Sequence, residues 1–159
     1  MAEQAGRGPQ LGTAFLLAQL GAHATARFAA RVAELDLDPA QTGILHLIAR
    51  EPGQSQQALA AQLGVVPSRV VGLLDTLEAR ELLERRRHPG DRRNHALHLT
   101  EPGLRLLEQI RALAVEHEAE LTAVLNPVEH AELTGLLRKI ADAQGLTPGV
   151  HPGYRHIRR

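Results

Sequence analysis

Arginine is concentrated where it could grip anions. Arg85, Arg86 and Arg87 are followed, after His88-Pro89-Gly90, by Asp91, Arg92 and Arg93. A guanidinium is a planar fork of N–H donors that matches phosphate or carboxylate oxygens two at a time. Pro-Gly-Asp marks a turn, so Arg92 and Arg93 stand at a hairpin tip, where self-repulsion is costly unless a polyanion lies close. Arginine on a slim protrusion suits a narrow minor groove, whose negative potential is enhanced, and Asp91 can hold one guanidinium in place. A second set lies upstream. Ser68, Arg69, Gly72 and Thr76 avoid the apolar positions around them and share a small, polar helical face, suited to a major groove about 12 Å wide.

These groups need supports, and the flanking pattern supplies them. Ser55 is suited to cap a helix through Leu63, with Leu59 and Leu63 four apart on one face. Gly64 follows where a positive φ often ends a helix. Pro67, with fixed φ and no N–H, fits the first turn of the next helix, in which Val70, Leu73, Leu74 and Leu77 make one apolar stripe. Glu84–Arg87 and Asn94–Leu99 read as short strands, the second setting His95, Leu97 and Leu99 against Ala96, His98 and Thr100. Helix, turn, helix and hairpin together predict a winged helix-turn-helix. Two helices alone would fit an ordinary hairpin with a solvated face; the arginine-tipped wing argues against it.

The run LGVVPSRVVGLLDTLEARELLERRRHPGDRRNHALHLTEPG resembles the DNA-binding core of the MarR (multiple antibiotic resistance regulator) family of bacterial transcription factors. The wing signature is Asp91-x-Arg93 followed by Leu99-Thr100 and Gly103, and the order of elements extends the resemblance over residues 11–143. It implies that Ser55–Leu63 is the supporting helix, Pro67–Arg80 the recognition helix, Arg93 the minor-groove finger and Asp91 its brace. Two positions depart from the family. Val66 stands where a hydroxyl residue is frequent and cannot cap. Gly72 stands where a larger polar residue, often arginine, is common, which shifts readout to Ser68, Arg69 and Thr76. The expected DNA contacts are Ser55, Gln56, Pro67, Ser68, Arg69, Gly72, Thr76, Arg86, Asp91, Arg92 and Arg93.

Outside this core the chain reads as helices. Leu11 to Leu35 is one, with Leu17, Leu20, Ala24, Phe28, Val32 and Leu35 at spacings of three and four. Asp38, Pro39 and Gln41 make a capping box for a second helix ending near Arg50. Thr100 caps a long helix to about Leu125, and Asn126 with Glu129 opens the last, to about Gln144. The expected fold is mainly α with a small β-wing: a single 1–159 domain, a DNA-binding lobe at 37–100, dimerisation helices at 11–36 and 101–145, and a tail at 146–159. The apolar stripes of the first and last two helices are broader than the winged part can cover, so a second copy is expected to bury them. A twofold dimer sets two recognition helices about one DNA turn apart and predicts a pseudo-palindromic operator.

Bulk composition narrows the classes. With 159 residues and 43% hydrophobic content the chain can build one real core. Lys+Arg and Asp+Glu both number 18, so a general polyanion binder is disfavoured. The charge is segregated: arginine crowds residues 80–93, while glutamates load the helices beyond, and only the local field meets phosphate. There is no cysteine, which excludes disulfides, thiolate metal sites and a thiol redox switch. Aromatic content of 2% counts against stacking on single-stranded bases. No membrane span or secretion signal is visible, so no membrane association and a cytoplasmic, bacterial location are expected, at the nucleoid when bound. No phosphate loop, paired-carboxylate constellation or metal motif appears, so an enzyme is not expected.

By the resemblance, His23, Arg27, His46 and His117 lie on helices lining a cleft between the dimer helices and the DNA-binding lobe. Relatives bind small aromatic acids there, and some bind zinc through histidines. An arginine can fork onto a carboxylate and neutral imidazole can ligate zinc. No metal-motif spacing joins these histidines, so no cofactor is expected, and the plainer reading makes His117 a satisfied core histidine. The functional expectation is a homodimeric, sequence-specific regulator of transcription on double-stranded DNA, repressing until an effector binds. The alternative is a winged-helix protein-interaction module without direct DNA readout.

Overall fold

The computed structural model describes residues 12–88 and 91–151, with the side chains of residues 88 and 91–94 excepted. Six helices and one hairpin follow in order: α1 (Thr13–Ala33), α2 (Pro39–Arg50), α3 (Gln56–Leu63), α4 (Pro67–Ala79), β1 (Leu83–His88), β2 (Asp91–Leu99), α5 (Glu101–Leu121) and α6 (Pro127–Ala143). The mainly helical fold with a β-wing agrees with expectation.

Local chemistry sets the helix ends. Asp38 accepts from the Gln41 backbone N–H at 2.7 Å while the Gln41 side chain accepts from the Asp38 N–H at 3.0 Å, closing the first capping box. Asn126 and Glu129 close the second. Ser55 accepts from Ala58 N–H, and Gly64 ends α3 at φ 66°, in the left-handed region that a side chain disfavours. Val66 makes no side-chain cap for α4, and Pro67 fills the first position instead. α5 stops at Leu121, short of the expected Leu125: the Thr122 hydroxyl donates to the Glu118 carbonyl, and Val124, beyond that turn, is 90% exposed.

β1 and β2 pair antiparallel, Leu83 opposite Leu99 and Arg87 opposite His95, and both are longer than the sequence pattern suggested. The approach to α3 adds a short third rung. Gly53 N–H donates to Leu97 O at 2.8 Å and Leu97 N–H to Gln54 O at 2.9 Å. This is why Ala96 and Leu97 are both buried and the expected alternation fails.

The core joins α2, α3 and α4 to the wing base through Ile44, Leu45, Ile48, Leu59, Leu63, Val70, Leu74, Leu77, Leu83 and Leu97, and reaches α1 and α5 through Val32, Leu107 and Ile110. Arg80 hooks the α1–α2 turn by donating to the carbonyls of Asp36 at 2.6 Å and Leu35 at 3.2 Å. α6 buries no residue. Leu133, Leu136, Leu137 and Ile140 on it are exposed, as are Phe15, Leu16, Leu17 and Leu20 on α1. No single helix among the described residues is long and apolar enough to cross a membrane.

Candidate nucleic-acid interface

α4 is two-faced because its apolar residues recur at helical period. Val70, Leu74 and Leu77 are fully buried, while Pro67, Ser68, Arg69, Gly72, Asp75, Thr76 and Ala79 are exposed. At 3.6 residues per turn, Ser68, Gly72, Asp75 and Ala79 form the centre of the outward face, flanked by Val71 and Thr76. The Thr76 hydroxyl donates to the Gly72 carbonyl at 2.9 Å, and a β-carbon at Gly72 would meet nothing within 4 Å. Ser55 and Gln56, at the start of α3, are half-buried. The supporting-helix and recognition-helix expectations thus fall on α3 and α4, with the outward residues of α4 brought together on one surface.

The arginines of β1 divide by strand face. Arg85 reaches α4, donating to Asp75 Oδ1 at 2.6 Å and to the Glu78 carboxylate. Its side chain is only 19% exposed, so it clamps the wing to α4. Arg86 points the other way and is paired with Glu84; Arg87 is exposed. The self-repulsion expected of this run is therefore relieved in part inside the protein, by carboxylates on α4 and on β1 itself. The side chains of the expected minor-groove group, Asp91, Arg92 and Arg93, lie outside the described residues.

Behind this surface, a cavity of about 740 Å³ opens between α1, α2 and α5. Phe28, His46, Leu107, Ile110, Arg111, His117 and His151 are among its walls. The Phe28 and His117 rings stand 5.7 Å apart, and His117 Nδ1 is buried with no partner among the described residues. Partial burial lowers the His46 pKa below the usual histidine value, and the charges of Arg111 and then Arg50 push it the same way. Of the four expected effector residues, His46 and His117 meet here. His23 and Arg27 are not in the lining: Arg27 instead pairs with Glu120 at 2.7 Å. Arg31 pairs with the same carboxylate at 2.5 Å, which raises the Arg31 pKa and lowers that of Glu120. Arg111 and His151 were not anticipated. Among the described residues no three His, Asp or Glu side chains come together as a metal site.

The comparisons agree with this geometry. A family model described as MarR family matches residues 35–94, the span from the end of α1 to the wing. A putative transcriptional regulatory protein for the hcr operon of Thauera aromatica is 36% identical over 110 residues, 69% of this chain and 66% of that protein. The solved transcriptional repressor CouR, bound to a 23-mer DNA duplex, is 35% identical with a TM-score of 0.73, covering 82% of this chain and 92% of that one.

The chain belongs to the MarR family. It is a DNA-binding transcriptional regulator. A mutant of MarR from E. coli complexed with operator DNA shares the architecture at 27% identity and a TM-score of 0.68, covering 79% of this chain and 90% of that one.

Proposed function

We propose that this MarR-family protein is a homodimeric repressor that occupies a pseudo-palindromic operator until a small aromatic acid enters the α1–α2–α5 cavity. The observation that carries the DNA part is the division of α4 into a stripe with no solvent exposure, Val70, Leu74 and Leu77, and an exposed face of mostly small or polar residues that includes Ser68, Gly72 and Thr76. Ser68, Arg69, Gly72 and Thr76 enter the major groove, Ser55 and Gln56 approach the backbone from the start of α3, and Arg93, braced by Asp91, enters the minor groove with Arg92 beside it. Arg86 exchanges Glu84 for a phosphate.

The exposed leucines of α1 and α6 support the dimer, because rows of that size are normally buried against a partner. The helices flanking the lobe, 11–36 and 101–145, make that interface. The cavity supports the effector: its walls are apolar and Arg111 can take a carboxylate. An occupant changes the separation of the two recognition helices, so they no longer match successive grooves.

Selecting sequences from a random DNA pool tests the operator. Two half-sites about one helical turn apart are expected; no enrichment overturns DNA readout and favours the protein-interaction alternative. Sedimentation is expected to show a dimer at micromolar concentration, and a monomer overturns the dimer. Salicylate-like acids are expected to raise the melting temperature and release DNA, with zinc as a parallel arm; no shift with either removes the effector.

A further inference from the structure

The outward face of α4 lacks the side chains that usually name purines. Guanine is most often read by a bidentate arginine or lysine and adenine by asparagine or glutamine. None of these stands among Ser68, Val71, Gly72, Asp75, Thr76 and Ala79. Arg69 sits at the edge of the face, and Arg80 is committed to the carbonyls of the α1–α2 turn. Asp75 is an acceptor held by Arg85, and the Thr76 proton is given to Gly72 O. What this face does offer is apolar. Val71 is 36% exposed although it lies on a helix whose inner stripe is complete without it. Next to it, Gly72 leaves a notch: beyond its chain neighbours and the helix's own backbone, no described atom lies within 4 Å of where a β-carbon would be.

The major-groove edge of a base pair carries one apolar group, the C5 methyl of thymine. We infer that Val71, beside the notch at Gly72, reads a thymine methyl in each half-site, so that sequence discrimination at the centre of α4 is hydrophobic and not arginine-to-guanine. This rests on the operator reading above and names its specificity. The notch lets the helix backbone approach the base edge, and Val71 supplies the surface that removes the methyl from water.

The test uses the full-length protein and the operator it enriches from a random pool. Each thymine of a half-site is replaced singly by deoxyuridine, which deletes only the methyl. At one position, binding by the unchanged protein is expected to weaken by about fourfold, the worth of one buried methyl-sized group. Val71→Ala is expected to bind the thymine operator more weakly by a similar factor and to lose the distinction at that position alone. Gly72→Leu, whose β-carbon enters open space, is expected to fold with no loss of melting temperature and to lose the thymine preference. Silent deoxyuridine at every position, or a full deoxyuridine effect persisting in Val71→Ala, overturns the inference while leaving the operator reading intact. A pool with no enriched sequence overturns both.

Discussion

A β-carbon on Gly103 would lie 1.9 Å from the carbonyl oxygen of Leu82. The close approach is where the first turn of α5 docks on the exit of α4. The Thr100 N–H donates to that same Leu82 oxygen at 3.2 Å, and the Thr100 hydroxyl donates to Glu81 O while capping Gly103 N–H. The wing base and α5 are thus joined through backbone that cannot slide. Gly103→Ala forces a backbone shift, and a loss of about 1–3 kcal/mol in urea denaturation is expected, in line with overpacking elsewhere. A variant of unchanged midpoint would show that this junction is compliant.

Arg85 and Arg86 are neighbours in sequence with opposite tasks. Arg85 is largely buried and satisfies two carboxylates on α4, so removing it leaves Asp75 and Glu78 side by side without their shared cation. Arg85→Met is expected to destabilise the fold by about 1 kcal/mol, since both carboxylates keep access to water, and to weaken DNA binding, because the wing loses its tie to α4. Arg86→Ala removes an exposed pair with Glu84, worth about 0–1 kcal/mol, and should change binding and its salt dependence more than stability. Parallel melts and binding titrations of the two variants check this; equal melting temperatures would contradict the assignment.

This contrast also shows what the sequence could reveal. Capping boxes such as Asp38–Gln41 are local, spanning three residues, and were legible with their exact partners. The apolar stripe of α4 was legible because helical period alone defines it. The partners of Arg85 were not, since Asp75 and Glu78 meet it only after β1 folds back across α4. The cavity was half legible. His46 and His117 line it, whereas Arg27 lies one step around α1 from the lining residues Ala24 and Phe28. Arg111 sits directly after buried Ile110 on α5, a signal that could have been used. His151 reaches the cavity from a segment with no periodicity at all.

His46 predicts a direction for acid sensitivity. Its folded pKa lies below the unfolded value of about 6.5. Between those two values the unfolded chain binds the extra proton, so stability rises with pH there. The contribution is complete above the unfolded pKa, falls away as pH drops below it, and stops changing below the folded pKa. Thermal melts from pH 7.5 to pH 5 should fall less steeply for His46→Gln than for the unchanged protein. An anionic ligand beside Arg111 would oppose this shift by favouring imidazolium, so acid effectors should bind more tightly as the pH is lowered through the same window. A pH-independent effector affinity would place the ligand's carboxylate away from His46.

The wing tip separates DNA reading from protein docking. A guanidinium in a minor groove displaces condensed counterions, so each phosphate neutralised contributes about 0.9 to the slope of log affinity against log salt. Arg93→Ala should therefore weaken binding and flatten that slope by about one. Asp91→Ala should weaken binding without the same flattening, since it removes a brace and leaves the cation. Substitution at Val71 should do the reverse of Arg93→Ala, changing which sequence is preferred at constant slope. Should Arg93→Ala leave both affinity and slope untouched, the hairpin is not seated in a groove, and its arginines would fit an acidic protein surface instead.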